Sequence, residues 1–260
     1  MGDRRRIVLT GSLAAVLVAT VGCSSPGPRP APTTTTPASG TATPAPTPTV
    51  AAPVLPYLSP TAAPQPVSGP AATGQIAGAV VSTNVPLNWY MTANTPNMWI
   101  LRAGPIDQLG FLSVVHPVRS PAPGQCSAVP GQQIVPPTDF GAFVAAYLAN
   151  PCLQREGSTE STTIAGLPAT RWRVKVVNAP KDAKYCKPAG CILIAYEQLA
   201  GSSYDFYYLN QGYEEMLWAV DLGPGREPLI LVAEEGAVGT LDALLPILKP
   251  AIDALHITLT

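Results

Sequence analysis

Charge is scarce in this sequence. Only 12% of its 260 residues are Asp, Glu, Lys or Arg, and none falls between Arg29 and Arg102. From Arg102 onward there are eleven basic and fifteen acidic residues, so the remainder is mildly acidic and carries no basic stripe. That argues against nucleic acid as a partner, because a phosphate backbone needs clustered Lys and Arg. Histidine is scarcer still: His116 and His256 are the only two, and neither has a motif around it. The zinc-protease H-E-x-x-H, the G-x-S-x-G elbow, the phosphate-binding glycine loop and the EF-hand loop are all missing. No metal, cofactor or catalytic constellation is therefore implied. No apolar run reaches the roughly 20 residues needed to span a membrane.

What is present begins with an address. Arg4, Arg5 and Arg6 precede an apolar stretch from Ile7 to Val21, the layout of a secretory signal peptide over residues 1–22. It ends in Thr20-Val21-Gly22-Cys23, which resembles the bacterial lipoprotein signal. The resemblance implies a lipid on Cys23 and a chain held on the outer face of the plasma membrane. Residues 23–73 then read as a disordered tether of Pro, Thr and Ala, too poor in large apolar side chains to offset the entropy of ordering. Within it Leu55, Tyr57 and Leu58 form the one bulky cluster, a candidate for docking on the folded domain.

Residues 74–260 have the composition of one globular domain. Alternating patterns predict strands at 98–102, 109–116, 192–198, 204–209, 216–221 and 228–233, with a hairpin over 162–177. Leu222-Gly223-Pro224-Gly225 is the turn between the last two strands. A helix starts at the Thr138-Asp139 cap, with Phe140, Phe143, Val144 and Tyr147 on one face. A second helical rhythm runs from Thr240 to Leu255, where Pro246 and Pro250 predict a kink or a split. A short strand, His256 to Thr260, closes the chain. The class is α+β, an antiparallel sheet flanked by helices.

Val85-Pro86-Leu87-Asn88-Trp89 resembles the "VPxGW" opening of the Mog1/PsbP-like domain, which includes the actinobacterial LpqN-type lipoproteins. Asn88 stands where that family commonly has glycine. The order of elements around Ile164-Ala165-Gly166-Leu167-Pro168-Ala169-Thr170-Arg171-Trp172-Arg173-Val174 fits as well. The resemblance implies a binding or assembly module without enzyme activity.

The candidate site residues are few. Cys126, Cys152, Cys186 and Cys191 are an even set in an exported domain and read as disulfides. Lys187-Pro188-Ala189-Gly190 suits a tight loop joining Cys186 to Cys191, which leaves Cys126 for Cys152, with cross-pairings still open. Tyr204, Phe206 and Tyr208 share one face of a strand, and with Trp172 and Trp218 they are candidates for holding an apolar ligand. Packing as core is the competing reading. Arg171, Arg173 and Lys175 share one strand face, either solvated or anion-binding. Glu214-Glu215 and Glu234-Glu235 read as turn-end charges, since adjacent strand residues point to opposite faces. Together these features point to an envelope lipoprotein binding a lipid, a glycolipid or an envelope protein. The alternatives are an assembly factor without a pocket and an extracellular hydrolase using His116.

Overall fold

The computed structural model describes residues 51–59, 62–104, 110–126, 133–181, 186, 189–198 and 204–260. The signal segment, Cys23 and the tether up to residue 50 lie outside the described residues. Strands β1 (Gln65–Ile76), β2 (Ala79–Asn94), β3 (Met98–Ala103) and β4 (Gly110–Val115) come first, then the short β5 (Ser120–Pro121) and β6 (Gln133–Ile134). Helix α1 (Phe140–Leu148) precedes the long hairpin β7 (Leu153–Ile164) and β8 (Leu167–Val176). A second hairpin, β9 (Cys191–Gln198) and β10 (Tyr204–Asn210), leads into β11 (Glu214–Val220) and β12 (Leu229–Glu235). Helix α2 (Leu241–Asp253) and β13 (His256–Leu259) complete the order.

The main sheet runs β1-β2-β3-β4-β12-β11-β8-β7, with β13 pairing with the start of β2. All these strand pairs are antiparallel. Both faces are covered at the centre, so β12 reads as an unbroken apolar run instead of alternating with polar residues. Its Leu229, Leu231 and Ala233 face α2, packing with Leu241, Leu244 and Leu248. Its Ile230 and Val232 face the other way, toward Phe143 and Tyr147 of α1 and Ile192, Ile194 and Leu209 of the β9–β10 hairpin. No helix among the described residues is long and apolar enough to cross a membrane.

Two sequence expectations are corrected. Described residues from Ala51 onward already belong to the compact unit, well ahead of Gly74. Residues 65–73, expected in a disordered tether, are most of β1, and Leu58 is buried in the core. β1 ends the sheet order, and an edge position tolerates Pro66 and Pro70, which lack the N–H a central strand must donate. The segment ahead of it docks as a strap. Leu55 N–H donates to Ala72 O at 2.8 Å, Leu58 and Asn94 exchange backbone bonds, and Asn94 Nδ2 donates to the carbonyls of Leu55 and Pro56.

The second concerns the split expected of α2, which is instead a single helix through both prolines. Pro246 and Pro250 are four apart on its exposed face. The carbonyls their missing N–H groups would have served are those of Asp242 and Pro246 on that same side, where water can satisfy them.

Candidate functional site

The cysteines pair as the short-loop geometry favours. Cys126–Cys152 and Cys186–Cys191 have Cα separations of 5.7 and 5.3 Å. Closing the longer loop stabilises by about 3.5 kcal/mol and the shorter by about 2 on the chain-entropy estimate. Gly190, between the second pair, has φ +102° and lies against backbone, where an added Cβ would fall 2.8 Å from Ala179 O. Only glycine fits that approach. The bridge clamps the entry to β9.

The aromatic candidates do not assemble into one site. Trp172 pairs in register with Leu217, so Trp218 belongs to the opposite face. Trp172 is buried with α1 and the β9–β10 hairpin, whereas Trp218 is buried on the α2 side. The side chains of Tyr204 and Phe206 lie outside the described residues, and Tyr208 is half-buried. Tyr207, on the other side of that strand, packs into the core. A two-residue period that separates Trp172 from Trp218 cannot bring both to one ligand.

His116 is held between two acceptors, with Nδ1 3.0 Å from Asn97 Oδ1 and Nε2 2.5 Å from Glu227 Oε2. Both ring nitrogens therefore have partners within the protein. The basic stripe is likewise occupied. Arg171 pairs with Glu160, and Arg173 with Glu214 and with Asp242 at 2.7 Å, while Lys175 reaches Glu214 at 3.4 Å. These cations meet the protein's own carboxylates, which answers their charge without a bound anion.

The glutamate doublets are not turn-end charges. Glu215 and Glu235 are fully buried. Glu235 accepts from the backbone N–H of Glu214, Thr240 and Leu241, all within 3.0 Å, and so supplies α2 with the N-terminal cap that Thr240 does not. Glu215 faces the other way and is the register partner of Glu234. Adjacent carboxylates in the sequence do diverge, but one from each doublet converges across the strands. The sequence does carry a signal for this: counting outward from the Pro224-Gly225 turn sets 215 opposite 234. Among the described residues no group of three or more His, Cys, Asp or Glu is arranged to hold a metal.

An open hollow lies where the sequence points to no site. A groove of about 680 Å³ occupies the face of β1, β2 and β13 that turns away from α2, with the strap as one wall. Val54, Ala72, Ser82 and His256 form one row across its floor, strap to β13. Pro70 opposite Asn84 and Val80 opposite Thr258 flank that row. Apart from Val80, the floor runs from apolar side chains on the strap and β1 to hydroxyl, amide and imidazole groups on β2 and β13. None of its lining residues is Asp, Glu, Lys or Arg. Sequence reasoning misses it because the composition of β1 reads as tether, which removes one side of the groove.

Compared with known proteins, the chain matches no family model and no curated protein.

Proposed function

We propose that this chain is a cell-envelope lipoprotein whose extracytoplasmic domain is a non-catalytic binding module, and that its groove takes an uncharged amphipathic ligand. The apolar-to-polar gradient across the groove floor carries this reading. A ligand with an acyl body over Val54, Pro70 and Ala72 would turn its polar head toward Ser82, Asn84, His256 and Thr258. The volume is that of a small-molecule site. Two paired disulfides fit an exported protein. The lipobox ending at Cys23 supports anchoring on the outer face of the membrane.

The likeness to the Mog1/PsbP-like domain gains one physical support. Pro86, Leu87 and Asn88 together oppose Ser68, a bulge in β2, and Asn88 has φ +64°. Glycine and asparagine take that left-handed conformation with least strain, so Asn88 is a workable substitute for the glycine of the family's motif.

The test uses the chain lacking its leader and Cys23, with glycerol monolaurate as the probe and native mass spectrometry as the readout. Val54 is 62% exposed, so Val54→Lys should change stability by no more than about 0.5 kcal/mol. It should weaken binding by about tenfold or more, since an ammonium would be desolvated under the acyl chain. Equal binding by the variant would remove the groove from consideration. If protein purified from its host carries no small molecule and monolaurate does not bind, a protein partner replaces the lipid.

A further inference from the structure

Glu215 and Glu234 meet on the sheet face covered by the β9–β10 hairpin. As register partners on neighbouring antiparallel strands their Cβ atoms are about 5 Å apart. Glu215 has 0% exposure, and neither of its carboxyl oxygens has a hydrogen-bond partner among the described residues. The row across the sheet reads Arg102, Phe111, Glu234, Glu215, Val174, Arg155. With strands about 4.8 Å apart, the backbone of Arg102 is about 14 Å from that of Glu215 and the backbone of Arg155 about 10 Å. Arg102 lies over the ring of Tyr90, and Arg155 is exposed. Neither arginine is a register neighbour of Glu215, and neither donates a hydrogen bond to it. From the hairpin comes Tyr207, whose buried hydroxyl bonds Ser113 Oγ at 2.9 Å and Glu234 Oε2 at 3.1 Å. Glu235 lies on the opposite face and is committed to the cap of α2.

An ionised Glu215 would thus be a fully buried carboxylate with no donor among the described residues and beside a second acid. Such a group either keeps a proton or gains water. The strands on either side are fixed in the main sheet, so the hairpin that carries Tyr207 is the cover that must move. We propose that Glu215 holds a proton while the β9–β10 hairpin is closed on the sheet, and that releasing this proton to solvent as the pH rises loosens the hairpin. Burial first, then the charges of Glu234 and Glu235, hold this carboxyl well above the ordinary glutamate range, in keeping with the geometry. Linkage sets the sign. A raised folded-state pKa means the folded form binds the proton more tightly than the unfolded chain. Stability from this group is full below the unfolded value of about 4.3 and declines as the pH climbs toward the folded one.

Backbone hydrogen exchange on the disulfide-intact chain, corrected for intrinsic pH dependence, tests the latch between about pH 5 and 8. Protection over 191–198 and 204–210 should fall by about tenfold or more with rising pH while β2 and β3 hold theirs, and Glu215→Gln should abolish the dependence. The idea fails if hairpin protection is the same at both ends of the range, or falls in step with β2 and β3. It also fails if the dependence survives in the variant. Should Glu215→Gln not fold, carbon-13 titration of the Glu215 carboxyl in the native sequence decides. A midpoint above about pH 6 supports the latch, and one near the usual value of about 4.3 overturns it.

Discussion

The half of the sheet made by β1, β2 and β13 and the half made by β7, β8, β11 and β12 hold the same helix by different means. β1 and β2 fall within the stretch that has no Asp, Glu, Lys or Arg at all. Beside apolar packing, their hydrogen bond to the end of α2 among the described residues is a neutral one, Thr83 Oγ1 donating to Ala251 O at 2.5 Å. The carbonyl of Ala251 is among the last four of the helix, which lack an intrahelical partner. At the other end α2 begins on the buried carboxylate of Glu235, and its Asp242 pairs with Arg173 of β8. Charge therefore concentrates on β7, β8 and β11 and at the start of α2. The neutral half has one face beyond α2 and leaves it open, and there the groove lies. A ligand without charge is thus best served by the part of the fold that uses none to hold itself together.

The largest test of this contrast is Glu235→Ala. It strips the acceptor from three backbone N–H groups, and the loss should be about 3 kcal/mol or more, read as a lower denaturant midpoint with unchanged slope. Glu235→Gln, which keeps one acceptor oxygen, should recover part of it. The matching change in the neutral half, Thr83→Val, removes one hydroxyl bond of similar burial and should cost about 1 kcal/mol. If the two losses were equal, the two ends of α2 would be held alike and the contrast would collapse.

Much of this arrangement is legible in the sequence, and the failures have definite causes. The strands near 98–102, 192–198, 204–209, 216–221 and 228–233, the Asp139 cap and the favoured cysteine pairs are local signals, set by alternation, one side chain or a short loop. Asp139 accepts from Ala142 N–H at 2.8 Å as the pattern implies. β1 is illegible because Gln65-Pro66-Val67-Ser68-Gly69-Pro70 reads as linker, and only its edge position and its pairing with β2 make it a strand. Pro246 and Pro250 do not split α2, because their cost depends on which face of the helix they occupy, which a propensity does not state. Residue type alone groups Trp172 with Trp218, and the strand register divides them. The Glu215–Glu234 pair depends on the register of β11 on β12, and there a reflection about Pro224-Gly225 is enough to find it.

The smallest effect gives the sharpest test, because it turns on two adjacent residues shifted in opposite directions. Glu215, on the face under the β9–β10 hairpin, is held above the ordinary carboxylate range by burial. Glu214, one residue earlier and on the α2 side, is held below it, chiefly by its hydrogen bond to Arg173. For Glu214 the linkage sign reverses: its stabilisation is present above the unfolded value of about 4.3 and is lost as the pH falls through the lower folded value. Arg173 is partly exposed, so Arg173→Met should cost only about 1 kcal/mol near neutral pH, and less in high salt. Its clearer signature is the acid limb of the stability curve, which should begin at higher pH in the variant than in the parent. Loss of protection on acidification should start in β7, β8 and β11, where the acids and their cations lie, and reach β1 and β2 only with global unfolding. Were β1 and β2 to open first in acid, charge would not be what separates the two halves, and the groove's neutrality would need another origin.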